Sequence, residues 1–166
     1  MDRKEPSDVK RKLVEALRSF ETLMVATNAP NGTIHARPMA VAEVDDGGDV
    51  WFVTEKESHK VDEIVADSTA LATGQDARAY VSLSGRLDII HDPRRLAALW
   101  KSSWKTWFPD GEDHTSMTLM RLRPEIGEYW LAGGLKGVRY LFEATRALLD
   151  GTAPREGEVE HAKVPM

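Results

Sequence analysis

The sequence predicts a mostly β chain with flanking helices, an α+β antiparallel barrel in one domain. Short strand-like segments recur and are joined by hairpin signals, and the helical segments do not alternate regularly with them as in a doubly wound parallel sheet. The 166 residues match a single domain at ~100 to 200 residues per domain.

The elements follow in order. Ser7 fits an N-cap, and Val9, Leu13, Leu17 and Phe20 recur at helical spacing, predicting a first amphipathic helix. Thr22 to Thr27 is a strand, Asn28 to Gly32 a turn and Thr33 to Val44 a second strand; Asn31-Gly32 is a strong hairpin signal. Asp45-Asp-Gly-Gly-Asp49 fits a solvated turn better than any calcium loop, and Val50 to Thr54 makes a third strand. Val61, Ile64 and Val65 mark a short helix ending near Asp67. Thr69 to Gly74 and Arg78 to Ile90 are strands, the second alternating apolar and polar with a period of two. Gly85 inside it suggests a bulge or a close backbone approach. Asp92-Pro93 supplies an N-cap and first turn for a helix carrying Leu96, Leu99, Trp100, Trp104 and Trp107, and Phe108-Pro-Asp-Gly111 stops it. Ser116 to Arg123 and Ile126 to Leu131 read as two strands around Pro124, followed by a helix from about Leu135 to Leu149. Residues 1–150 form the domain, and 151–166 read as a polar C-terminal tail.

Composition narrows the chemistry. With no cysteine there is no thiolate nucleophile, redox pair, thiolate zinc site or iron–sulfur cluster, so redox work would need a bound organic cofactor or a His/carboxylate metal. The five histidines, at 35, 59, 91, 114 and 161, are too dispersed to suggest a metal. The formal charge of −5 gives no global attraction for nucleic acid or an anionic membrane, so an anion would need a local cluster. The N-terminus does not read as a signal or transit peptide, and no apolar stretch approaches the ~20 residues that span a bilayer. The expectation is a cytoplasmic protein.

Three features could carry chemistry. In Thr33 to Val44 the even positions Ile34, Ala36, Pro38, Ala40, Ala42 and Val44 form an apolar face, leaving Arg37 on the other side with His35 and Met39. Pro38 cannot donate to a ladder, so the strand is at an edge or bulged there. Taken alone, a surface arginine is the simpler reading of Arg37. Trp51 to Lys60 passes from strand into helix, with Thr54 and Glu57 spaced as a capping box. A helix N-terminus, the Ser58 hydroxyl, the Lys60 charge and the Arg37 fork together suit a dianionic phosphomonoester, with ordinary capping as the bland alternative. The five tryptophans fit a core stripe or a wall for a planar ligand; the expectation is Trp100 in the core, with Trp104 and Trp107 facing a ligand or partner. Gly133-Gly134-Leu-Lys-Gly137 reads as a tight turn, lacking a full nucleotide-binding fingerprint.

Arg37-Pro-Met39, Trp51-Phe-Val-Thr54 with Ser58-His-Lys60, Ser84-Gly-Arg86 and the stretch Trp100 to Gly111 resemble, in that order and spacing, the general stress protein 26 branch of the pyridoxamine 5′-phosphate oxidase-like, FMN-binding split-barrel superfamily. The resemblance runs from about Val9 to Leu149. It implies a six-stranded antiparallel split β-barrel of the FMN-binding type, a homodimer with the flavin at the subunit interface, and a stress-associated flavin-dependent oxidoreductase of unknown substrate. Alternatives are a non-catalytic flavin-binding or buffering protein, or the same fold holding FAD, F420 or haem. Arg37 corresponds to the strand arginine on the flavin phosphate, and Thr54, Ser58 and Lys60 to the residues completing that pocket. Pro38, Met39, Val53, His59, Tyr80 and Trp107 fall at further flavin-site positions, and no metal is implied. Two departures speak against vitamin B6 oxidation: Ala42 stands where the true oxidases have a lysine, and the chain ends, from Glu156 to Met166, without their Arg- and Trp-bearing segment.

Overall fold

The structure, a computed structural model, describes residues 6–109, 115–132 and 159–166. Its elements are α1 (Pro6–Leu17), β1 (Thr22–Asn28), β2 (Ile34–Val44), β3 (Val50–Glu55), α2 (His59–Ala66), β4 (Thr69–Gln75), β5 (Ala79–Ile90), α3 (Pro93–Leu99), a 3₁₀ turn (Ser102–Thr106), β6 (Met117–Ala132) and β7 (Val159–Pro165). Every strand pairing is antiparallel. The order β3-β2-β1-β4-β5-β6 closes on itself through β3 and β6, giving a barrel that is antiparallel, as the hairpin pattern predicts, and six-stranded, as the resemblance implies. The predicted helix after Leu135 and the glycine run at 133–137 lie outside the described residues.

Strand β6 explains how the barrel splits. Along one edge it pairs with β5 from Leu119 to Leu131. On its other edge Met117–Leu122 pair with β3, and Ile126–Ala132 pair with β7. Pro124, which has no N–H to give, sits where the strand changes partner. The sequence predicts a break there, whereas the chain continues as one strand, because the missing donor falls at the one place that needs none. Opposite it, the β5–β6 register shifts between Ser84 and Gly85. A Cβ on Gly85 would lie 2.1 Å from the Arg123 carbonyl oxygen, so the bulge and the close approach occur together.

The β1–β2 hairpin forms where Asn31-Gly32 predicts it. Gly32 adopts φ +84°, and Asn31 Oδ1 accepts the Thr33 amide at 3.1 Å. At α3, Asp92 accepts from the Arg95 amide at 3.0 Å, as its N-cap position requires. The helix stops at Leu99, however, and Trp104 sits on the separate 3₁₀ turn after Lys101-Ser102-Ser103, whose serines are weak helix formers. The expectation for Trp104 is therefore overturned, and that for Trp100 is met only in part. Trp104 is buried with Trp51, Val53, Leu96, Met117 and Leu119, and Trp100 packs against that group half-buried, its ring edge-on to Trp104 at 5.6 Å.

The main core fills the barrel and the underside of α1, with Leu13, Leu17, Val25, Phe52, Leu83, Leu122 and Tyr129 nearly inaccessible. Within the stretch read as a polar tail, Val159–Pro165 is strand β7. What holds it is tertiary: the ladder to β6, Val164 in the core, and Glu160 accepting from Lys12 Nζ at 2.8 Å and the Tyr129 hydroxyl at 3.0 Å. Burial and Glu160 push the Tyr129 hydroxyl up to about 12. Among the described residues no helix is long and apolar enough to cross a membrane.

Candidate functional site

Strand β2 is turned inside out relative to its hydrophobic pattern. The apolar even positions Ile34, Ala36 and Pro38 are exposed, while Met39 and Val41, on Arg37's face, enter the main core. A register shift between Val41 and Glu43 then brings both Ala42 and Val44 inside. Pro38 pairs only toward β1, because β3 joins β2 from Val41 onward, so its missing donor meets an open edge. Arg37 thus projects to the barrel side, toward α2.

There it meets a residue the sequence reading overlooks. Glu63 of α2 is buried, and its carboxylate accepts from the Thr27 hydroxyl at 2.6 Å, from Arg37 Nη2 at 2.5 Å and from His35 Nδ1 at 2.6 Å. Arg37 Nη1 donates in turn to Thr27 Oγ1 and to the His35 carbonyl at 3.0 Å. The Thr27 hydrogen bond, outweighing burial and helped by His35 and Arg37, holds the Glu63 carboxyl down at about 2. Its partners are 26 to 36 residues away in sequence. The available hint is that Glu63 follows Lys60 by three residues and so shares its helix face.

Helix α2 begins at His59 with Ser58 as N-cap. Thr54 lies back in β3, buried, so the predicted Thr54/Glu57 capping box does not form: the strand continues to Glu55, and Lys56 and Glu57 separate it from the Ser58 cap. Ser58 makes no capping bond either. Its Oγ is wholly buried and has no hydrogen-bond partner among the described residues. Leaving such a group unmatched costs ~1–3 kcal/mol, which an acceptor or donor from a ligand would remove. Lys60 is half-buried; burial and then the nearby Arg37 charge lower its pKa, against the opposite pull of Glu55 and Glu63. An anion placed here would relieve both penalties.

Arg37 and Lys60 stand on the wall between two cavities. One, about 890 Å³, is lined by His35, Arg37, Ser58, His59, Lys60 and Glu63 among others. The second, about 410 Å³, is bounded by Arg37, Pro38, Met39, Val53, Thr54, Lys60 and Trp107. Charge is concentrated at their junction, and the second cavity runs from it along an apolar wall ending at Trp107, whose residue is 73 % exposed. Of the residues predicted for the site, Tyr80 alone lies elsewhere. It lines a depression of about 470 Å³ with Trp130, its partner across β5 and β6, although Thr22 borders both that depression and the apolar cavity.

Fold and site together define a split-barrel protein with a candidate anion cradle at a strand-to-helix junction, next to a flat apolar slot. A sequence profile of the family described as pyridoxamine 5′-phosphate oxidase like matches residues 8–155. The chain belongs to this family, in its general stress protein 26 branch. It is similar to a candidate general stress protein 26 from Jannaschia sp. CCS1, with 27 % identity over 96 % of this chain and 99 % of that one and a TM-score of 0.71. A general stress FMN/FAD binding protein from Xanthomonas citri is 26 % identical over 75 % of this chain and 89 % of its own, at a TM-score of 0.62. The general stress protein 26 of Bacillus anthracis str. Sterne shares the fold at 21 % identity, covering 73 % of this chain and 92 % of its own, with a TM-score of 0.64. The sequence matches no functionally curated protein.

Proposed function

We propose that the protein binds a flavin mononucleotide and serves as a cytoplasmic, stress-associated flavoprotein. The observation that carries the reading is the buried, unmatched Ser58 Oγ in the same cavity as Lys60 and Arg37, which themselves stand at the mouth of a slot walled by Pro38, Met39, Val53 and Trp107. These residues fit the group: the cluster would hold the phosphate, with the α2 N-terminus adding its dipole, and the slot would exclude water from a planar ring. His59, exposed at the first turn of α2, would face the same phosphate from solvent. Bound flavin supplies hydride or single-electron transfer. The chain's own part is to fix the anion and shape the slot. FMN is the better match to the smaller cavity, and FAD would extend into the larger one.

A homodimer accompanies this reading. On the outer face of β2, β1 and β4 the exposed Ile34, Ala36, Pro38, Met24 and Leu71 sit on neighbouring strands, with Met24 opposite Pro38 and Ala26 opposite both Ala36 and Leu71. An apolar sheet face of this kind is a natural seat for a second copy. A carrier rather than an enzyme is the second reading, favoured because no carboxylate or imidazole lines the slot among the described residues.

The test is the visible spectrum of the purified protein, with mass identification of any released chromophore, and titration with FMN. Arg37→Ala combined with Lys60→Ala should abolish FMN binding and leave the circular dichroism spectrum intact; undiminished affinity would overturn the phosphate assignment. Stopped-flow reduction by NADH or NADPH separates enzyme from carrier.

A further inference from the structure

We propose that Glu63 is a positioning residue of the anion site, holding Arg37 so that one edge of its guanidinium is free for a phosphate. The inference rests on the flavin reading and adds a residue to it.

Arg37 has five N–H hydrogens. The two on Nη1 are shared by Thr27 Oγ1, the His35 carbonyl and, at 3.5 Å, the Val25 carbonyl, and one on Nη2 goes to Glu63. That leaves Nε–H and the second Nη2–H, which lie along one edge of the planar group and match two oxygens of a phosphate. Among the described residues neither has a protein partner. The remaining bonds make the arrangement one-directional. The Thr27 hydroxyl accepts from Arg37 and therefore spends its proton on Glu63, and ionised Glu63 can only accept. Burial of Thr27 and Glu63 excludes water as a substitute partner. Arg37 cannot turn its committed edge outward without stranding a buried carboxylate.

Charge alone makes the opposite demand. A carboxylate bonded to the arginine that is to bind a phosphate repels that phosphate, so removing the charge should tighten anion binding. Orientation and Coulomb repulsion thus predict effects of opposite sign, which makes the role measurable. Riboflavin, identical to FMN but without the phosphate, isolates it further.

The experiment is calorimetric titration of the full chain with FMN and with riboflavin, for wild type, Glu63→Gln, Arg37→Ala and the double variant. Glu63→Gln is expected to weaken FMN about tenfold, the loss of one oriented charge-assisted hydrogen bond, and to leave riboflavin affinity unchanged. In the Arg37→Ala background the same change should have no effect or a small tightening. Thr27→Val, which removes the hydroxyl bridging Arg37 and Glu63, should repeat the selective loss and serves if Glu63→Gln does not fold. FMN binding that is unchanged or tighter in both Glu63→Gln and Thr27→Val overturns the positioning role, as does an equal loss for the two ligands. A wild type that binds neither flavin overturns the flavin reading, and this inference with it.

Discussion

Acidification should destabilise the wild type more steeply than a Glu63→Gln variant, and the size of the difference follows from the buried network. In the folded chain the Glu63 carboxyl is held at about 2 against an ordinary 4.5. A carboxylate stabilised in this way contributes fully above the unfolded value and loses its contribution as pH falls toward the folded one. The gap is equivalent to about 3 kcal/mol at ~1.36 kcal/mol per pH unit. By pH 3 most of the unfolded chains would carry a protonated Glu63 while most folded chains would not, so about 2 kcal/mol of the contribution is gone and about 1 kcal/mol remains. Glutamine cannot titrate, so its own acid sensitivity comes only from other carboxylates such as Asp67 and Asp88, which are also held low by their hydrogen bonds, to Thr69 and Asn28 and to Arg123 and Arg121 respectively. The assay is urea unfolding of both proteins between pH 7 and pH 3, followed by circular dichroism. The wild type should be the more stable at pH 7, and its advantage should shrink by about 2 kcal/mol on reaching pH 3. Parallel curves with a constant separation would refute the claim that Glu63 is ionised and paired in the folded chain.

Two further outcomes test the architecture. Gly85→Ala puts a methyl group 2.1 Å from the Arg123 carbonyl and 2.8 Å from Pro124 Cα, both backbone atoms that cannot swing away. It should cost more than ~3 kcal/mol in chemical denaturation, well beyond the ~1 kcal/mol typical of a point change, and a near-neutral result would show that the β5–β6 bulge is compliant. Ile34→Glu with Leu71→Glu places like charges on the outer face of β2 and β4. The pair should turn the proposed homodimer into a monomer in sedimentation velocity with little change in melting temperature, and a dimer unaffected by both charges would put the interface elsewhere.

Local signals in this chain were reliable wherever the deciding interactions are local. Asn31-Gly32, Asp92-Pro93 and the alternation of β5 each describe backbone preferences or contacts within a few residues, and each feature stands where those residues put it. Arg37, Ser58 and Lys60 were legible as a group for the same reason: they are residue types whose chemistry is unsatisfied in a strand or at a helix start. The errors have a common cause in distance along the chain. The β2 pattern gave the two faces correctly but not which one is inside, because a small apolar face serves equally well against a core or on an outer surface. The burial of Trp104 followed from a helix that stops at Leu99, about two turns before Phe108-Pro-Asp-Gly111.

The sequence by itself determined the antiparallel barrel, the strand-to-helix junction and the residues proposed to hold an anion, since period, turn chemistry and side-chain type are properties of short segments. Only the tertiary structure decided that Arg37 points toward α2, that Glu63 and Thr27 fix it there, and that Val159–Pro165 completes the sheet. Those facts depend on hydrogen bonds and ion pairs between groups far apart in the chain, whose strength comes from burial that no local segment possesses.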